Sequence, residues 1–466
     1  MAANGNDLGS APVRGLLIKL ALPAIAAQVV NALYNMVDRM YIGHMAADGD
    51  VALTGLGLTF PVIMFISALS ALVGMGGGSR AAIVMGEGDR ERAEGILGSC
   101  VALLLVISAV ATAVFQIFCE PLLLLFGADA STTLRYAADY LHLYLWGTVS
   151  VQAALGLNNF ITTQGFSKQA MATVVIGAVV NIVLDPVFIY GFHMGVRGAA
   201  LATVIAQTVS AAWAVAFLVG KQTKLRLRRS KIRLKWSYLA PVIAVGVSPF
   251  IMQSTESLVM ICVQSSLKKY GGDAAVGAVT IASSVMQTLN MPFHGLAQGA
   301  QPIIGFNYGA GKLDRVKQAY RLMLTWAVAF SVLAWGATEL FPGVFVAIFN
   351  DKPALTEIAT WTLRVYMAGL IFLGVQSACQ QTFVALGQAK ISLFLALLRK
   401  IILLIPFIYL LPLFIEQKVL AIFLAEPAAD VLAGTITALV FAWRFPRILR
   451  KRKEILEHGG ETLSEI

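Results

Sequence analysis

Twelve apolar stretches, each long enough to cross a bilayer as a helix, follow one another along the chain with only short polar connections. They run over residues 16–43, 52–78, 95–118, 137–161, 170–191, 199–220, 239–267, 275–304, 318–342, 357–386, 391–414 and 420–443. A helix needs about 20 predominantly apolar residues to span the hydrocarbon core, a length that barrel strands do not reach. Inside lipid every backbone polar group must be satisfied within the protein, so a chain built this way folds as helices. The expected fold class is therefore an all-α polytopic membrane protein with twelve transmembrane helices. Composition agrees: 58% of the 466 residues are hydrophobic and 13% charged, with a mean hydropathy of +0.77. Nothing is left over for a sizeable soluble domain.

The clearest break is KQTKLRLRRSKIRLKW, Lys221 to Trp236, with eight Lys/Arg and no acid. Such a run reads as a topology anchor in the cytoplasm rather than a nucleic-acid site. With every stretch crossing, most remaining basic residues fall on the same side as this run, among them Arg14, Lys19, Arg80, Arg90, Arg92, Lys312, Arg315 and Arg444 to Lys453. Both termini are then expected in the cytoplasm of a cell whose inner (plasma) membrane holds the protein. The net charge of +10 reflects orientation and contact with anionic membrane lipid. The N-terminal stretch lacks the basic region and cleavage site of a signal peptide, so the first span is expected to remain.

The two halves repeat. Gly86-Glu87-Gly88-Asp89-Arg90-Glu91-Arg92 matches Gly309-Ala310-Gly311-Lys312-Leu313-Asp314-Arg315 at an offset of 223. The stretch from Asn158-Asn159 through Gly165 to Lys168 matches Gln380-Gln381 through Gly387 to Lys390 at an offset of 222. Two matches at nearly one offset argue for duplication, and an even number of spans per half makes the repeats parallel. Expected units are an N-lobe over 1–220, a basic linker over 221–238, a C-lobe over 239–443 and a basic tail over 444–466. Two such lobes enclose a cleft whose access alternates as they rock.

Polar side chains set inside the spans are the functional candidates. In the first span Asn31, Tyr34, Asn35 and Asp38 share one helical stripe. A carboxylate at mid-membrane costs at least about 2.5–3.5 kcal/mol and so calls for a role or a partner. In the fifth span Asn181 and Asp185 lie one turn apart, and Pro186 removes a backbone donor. The sixth span offers Thr203 after a run of small residues that permits close helix approach. These oxygens form either a proton-carrying carboxyl pair or a cage in which Asp38, Asp185 and Asn181 hold Na+. The alternative is a set of structural polar residues satisfied by neighbouring helices.

Several other signals lead nowhere. GFNYGAGK, Gly305 to Lys312, misses the phosphate-binding loop, because five residues separate the glycines and Leu follows the Lys. GMGGGS, Gly74 to Ser79, ends an apolar span with no strand before it. Four scattered cysteines give no metal or disulfide pattern. No HxxxH pair or Ser/His/Asp set is legible, so neither catalysis nor an organic cofactor is indicated.

Pro23, Asn31 and the run Leu33-Tyr34-Asn35-Met36-Val37-Asp38 to Tyr41-Ile42-Gly43, together with Asn181, Asp185-Pro186 and Gly198-Ala199-Ala200-Leu201-Ala202-Thr203, resemble the multidrug and toxic compound extrusion (MATE) family. The likeness covers nearly the whole chain and is greatest to the prokaryotic DinF-like or MepA-like branch. The resemblance implies secondary active efflux: a small organic cation or amphipathic drug leaves by antiport as H+ or Na+ enters. By position, Tyr34, Asp38, Asn181, Asp185 and Thr203 match that branch's ion-coupling cluster. Asn31, Asn35, Asn158, Asn159, Gln253, Glu256 and Gln287 are the candidate substrate contacts. NorM-like relatives use acids in spans seven and ten; here span seven has Glu256, but span ten has only Glu357 at its outer edge. Glu256 is expected either to protonate or face a cationic drug, or else to bond Gln253 or Gln287. Asp430, near a helix end, and the Arg399-Lys400 pair, with side chains long enough to snorkel, read as structural. A monomer is expected. The rival reading is a lipid-linked precursor flippase of the same superfamily, which would favour a strongly basic cavity.

Overall fold

The computed structural model describes residues 8–45, 49–349 and 353–458. Residues 459–466 of the expected tail lie outside them. Among the described residues all regular structure is helical. Helices α1 (Val13–Gly43), α2 (Gly49–Gly86), α3 (Arg90–Ile117), α7 (Ser167–Pro186, running on as a π turn over Val187–Gly191) and α8 (Val196–Val219) each cross, and the short α4 (Cys119–Leu125) does not. Helices α5 (Thr133–Trp146) and α6 (Thr148–Thr163) share one crossing broken at Gly147. Helix α9 (Trp236–Gly309) is two crossings that turn at Gly272, whose φ of +63° only glycine adopts cheaply. After α10 (Leu313–Leu340) and the short α11 (Pro342–Phe349), α12 (Pro353–Met367) and α13 (Leu370–Ala385) form one span bent by 45°. Then α14 (Ala389–Leu397), a π-helical segment over Leu398–Leu404 and α15 (Ile405–Phe414) make the eleventh crossing, and α16 (Lys418–Glu457) the twelfth.

The duplicated motifs are turns. Gly88 and Gly311, and likewise Gly165 and Gly387, all have positive φ between 68° and 87°. A side chain there would be strained, which gives a physical reason for glycine at both positions of each pair.

Packing between the halves is reciprocal. A Cβ at Gly86 would enter the backbone of Phe306, and one at Gly309 would enter the backbone of Ile83. Gly295 and Gly299 lie against Ile25 and Ala21 of α1, while Gly246 and Gly76 make the matching approaches to Leu72 and Val242. These pairs map onto one another at the repeat offset, so the lobes are related by a two-fold axis along the membrane normal. All of these approaches fall in the half of the molecule nearest the two ends of the chain, here termed the terminal side. Hydrogen bonds that join the halves sit there too: Gln301 Nε2 to Ser79 Oγ at 2.5 Å, Arg315 Nη2 to the Ala11 carbonyl at 2.6 Å, and Arg452 Nη2 to Glu87 Oε1 at 3.0 Å. The structure is thus sealed on the terminal side.

Apolar packing divides α1 near Pro23. Leu8, Val13, Leu16, Leu17, Leu20 and Ala21 belong to the cluster formed by the second half of the chain, whereas Ile42 packs among N-lobe residues. The basic stretch after α8 is docked rather than loose. Gln164 Oε1 accepts from Thr223 Oγ1, Lys224 N and Leu225 N, each at 2.7 Å. Glu94, its side chain 2% exposed, takes Lys231 at 3.1 Å and Arg228 at 3.2 Å.

Candidate functional site

The outer half of α1 carries Asp38 against α7 and α8. Asp38 is 8% exposed and Asp185 fully buried, and the two carboxyls are near enough to act on one another electrostatically. Asn181 Nδ2 donates to Asp185 Oδ1 at 3.2 Å and more weakly to Thr203 Oγ1 at 3.4 Å. Helical spacing accounts for the first bond and the close α7–α8 approach for the second: Ser210 Oγ lies where a Cβ at Gly177 would sit. Tyr34 and Gln207 line one cavity with Thr203, and Tyr140 lies near Thr203. Neither Asp38 nor Asp185 forms an ion pair among the described residues; the adjacent Arg39 instead faces the Phe60 ring at 6.0 Å.

Four polar atoms of the candidate residues lack hydrogen-bond partners although buried: Asp38 Oδ1, Asp185 Oδ2, Asn181 Oδ1 and, on α6, Asn158 Oδ1. Buried polar groups ordinarily find partners. Two neighbouring buried carboxyls with no ion-pair partner repel unless a proton or cation neutralises one of them. The donor set is all oxygen, which suits H+ or Na+ and not a soft metal. A small cavity of about 50 Å³ lies next to Asn181 and Thr203 and is lined also by Asn31, Tyr34, Asn158 and Gln207; Asp38 and Asp185 are not among its lining residues. Asn35 and Asn159 point elsewhere, each donating to the carbonyl four residues before it in its own helix.

The C-lobe holds charges of a different kind. Glu256 pairs with Lys400, Nζ to Oε1 at 3.0 Å, rather than with Gln253 or Gln287, which are both exposed. Its side chain is 57% exposed and that of Lys400 9%. Arg399 binds Asp430 at 2.6 Å and Glu426 at 2.9 Å. Snorkelling is not what these bases do. The π-helical segment widens the turn and aims Arg399 at α16 and Lys400 at α9. Asp430 is fully buried and does not reach water.

The MatE family profile matches residues 23–187 and 249–410. This chain belongs to the MatE family. The two matched blocks start at Pro23 and Pro249 and cover most of each lobe. The FAD transporter of Shewanella oneidensis is 25% identical over 408 residues, 86% of this chain and 88% of that protein. Multidrug export protein MepA of Staphylococcus haemolyticus is 22% identical over 395 residues, 85% of this chain and 86% of that one. The crystal structure of MATE in the bent conformation superposes with a TM-score of 0.90 at 22% identity, covering 97% of this chain and all of the other. A likeness at that identity shows the fold. MatE proteins are membrane transporters rather than enzymes, and this one is a multi-pass membrane protein.

Sequence reasoning passed over Gln207, Tyr140 and Glu426. For Glu426 a signal existed: it stands one turn before Asp430 in span twelve, and two acids at i and i+4 inside a span call for a shared base. Tyr140 and Tyr144 likewise stand one turn apart; their rings stack at 6.1 Å. Gln207 had no signal, because its distance from Tyr34 in sequence is closed only by the α1–α8 contact.

Proposed function

We propose that this MatE protein is a secondary active multidrug efflux transporter of the inner (plasma) membrane, with both termini cytoplasmic. It exports small organic cations or amphipathic drugs by antiport with H+ or Na+. The observation that carries the reading is the Asp38–Asp185 pair: two neighbouring buried acids that form no ion pair among the described residues, near a cavity into which Tyr34, Asn181 and Thr203 bring polar groups. Entry of the coupling ion neutralises the pair and weakens its hold on a cationic substrate. Helix α1 joins this event to the lobes, because it bears Asp38 at one end and packs on the second half of the chain at the other, with Pro23 between. One charge moving down 100 mV supplies about 2.3 kcal/mol, enough to bias two states appreciably.

The named relatives handle different compounds, one FAD and one multiple drugs, so the test includes both kinds. Efflux of a fluorescent cation and of FAD from proteoliposomes is measured with H+ and Na+ gradients imposed separately. Cation efflux driven by one gradient, and lost in a folded Asp38→Asn variant, supports the reading and names the ion. Wild-type efflux in Asp38→Asn refutes it, and transport of FAD alone transfers the substrate assignment to anions. Binding of a lipid pyrophosphate with no gradient response would favour the flippase.

A further inference from the structure

The C-lobe charges do not balance. Glu256, Glu426 and Asp430 face two bases, Arg399 and Lys400, and their pairing is specific. Lys400 serves Glu256, which leaves one guanidinium to serve both Glu426 and Asp430. Both acids are buried, at 4% and 0% exposure, within the apolar α16. Asp430 uses one oxygen for Arg399, while its Oδ2 is buried without any partner. A buried and uncompensated charge costs several kcal/mol, and the ordinary remedy is to neutralise the group.

We infer that Asp430 binds one proton on Oδ2, giving the C-lobe an exchangeable proton site of its own beside the Asp38–Asp185 pair. The groups around it are Arg399 and Lys400 on the π-helical segment, Glu426 on its own helix, and Tyr366 on α12; Glu256 and His294 on α9 lie next to Arg399 and Lys400. His294 acts on Glu256. Of these, Arg399 already donates to Asp430, and the others leave Oδ2 unmet. Na+ is a poorer occupant, since hard cations gather several oxygen ligands and Oδ2 is a single unmatched oxygen. This inference rests on the antiport reading for its role in coupling, but the proton itself is detectable without transport.

The test is infrared difference spectroscopy on the full protein in lipid vesicles, which sees the carbonyl stretch of a protonated carboxyl. In an Asp38→Asn/Asp185→Asn background one such band is expected. It disappears in Asp430→Asn and in Glu426→Gln, because either change leaves Arg399 with a single acid and no surplus charge. Both variants are therefore expected to fold. No band in that background, a band that survives Asp430→Asn, or a band removed by Na+ would each overturn the assignment. With the N-lobe acids restored, Asp430→Asn should lower the number of protons exchanged per substrate by one. An unchanged ratio would make the proton structural and end its proposed part in coupling, whereas absence of any ion-driven flux would fail the antiport reading while the infrared result stood.

Discussion

Arg399→Met is the most informative stability perturbation. It removes a side chain of similar length whose guanidinium, 13% exposed, lies 2.6 Å from Asp430 and 2.9 Å from Glu426. Deleting one partner of a buried ionic group leaves the other side unpaired and costs about 3–5 kcal/mol. That is more than a roughly hundredfold change in the folding equilibrium, at a factor of ten per about 1.4 kcal/mol. The exposed comparison is Arg228→Ala. Arg228 is 56% exposed, and its partner Glu94 keeps Lys231 at 3.1 Å, so solvent screening holds the loss to about 1 kcal/mol or less. Reversible unfolding of the detergent-solubilised protein measures both. The triple variant Arg399→Met/Glu426→Gln/Asp430→Asn removes every charge in the group, and most of the lost stability should return. A loss below about 1 kcal/mol in Arg399→Met would refute the reasoning, since it would place the triad in the class of surface pairs.

Two further predictions concern the terminal side. Gly309→Ala puts a methyl group into the backbone at Ile83, with no flexible side chain to give way, so the sealed state should lose population. Disulfide formation between Ser79→Cys and Gln301→Cys, placed at a 2.5 Å hydrogen bond, should fall in that variant, and unchanged cross-linking would contradict the close approach. Gln164→Ala removes one acceptor that holds three donors; trypsin should then cut the 221–235 stretch faster, and an unchanged rate would mean that the Glu94 contacts suffice to dock it.

The membrane class, the twelve crossings, the duplication and the candidate acids of the N-lobe were all legible in the chain itself. The reason is that each rests on a local rule. Apolar run length decides crossing, a glycine at positive φ marks a turn in both halves, and Asp38 or Asp185 stands out because lipid makes a lone carboxylate expensive. Asn181 and Asp185 could be placed together because one helical turn separates them. What depends on contacts between distant segments was not legible. The nearness of Asp38 to Asp185 across α1 and α7, the docking of the basic stretch on Gln164 and Glu94, and the allegiance of the first turns of α1 to the second half of the chain are products of packing. The C-lobe shows this most sharply. Taken singly, Arg399, Lys400 and Asp430 each had an innocent local explanation, in snorkelling or nearness to a helix end. Only the tertiary structure, by widening one turn of the eleventh span and setting α16 against it, turned them into a buried network with one acid too many, because charge balance is a property of neighbours in space and not of neighbours in sequence.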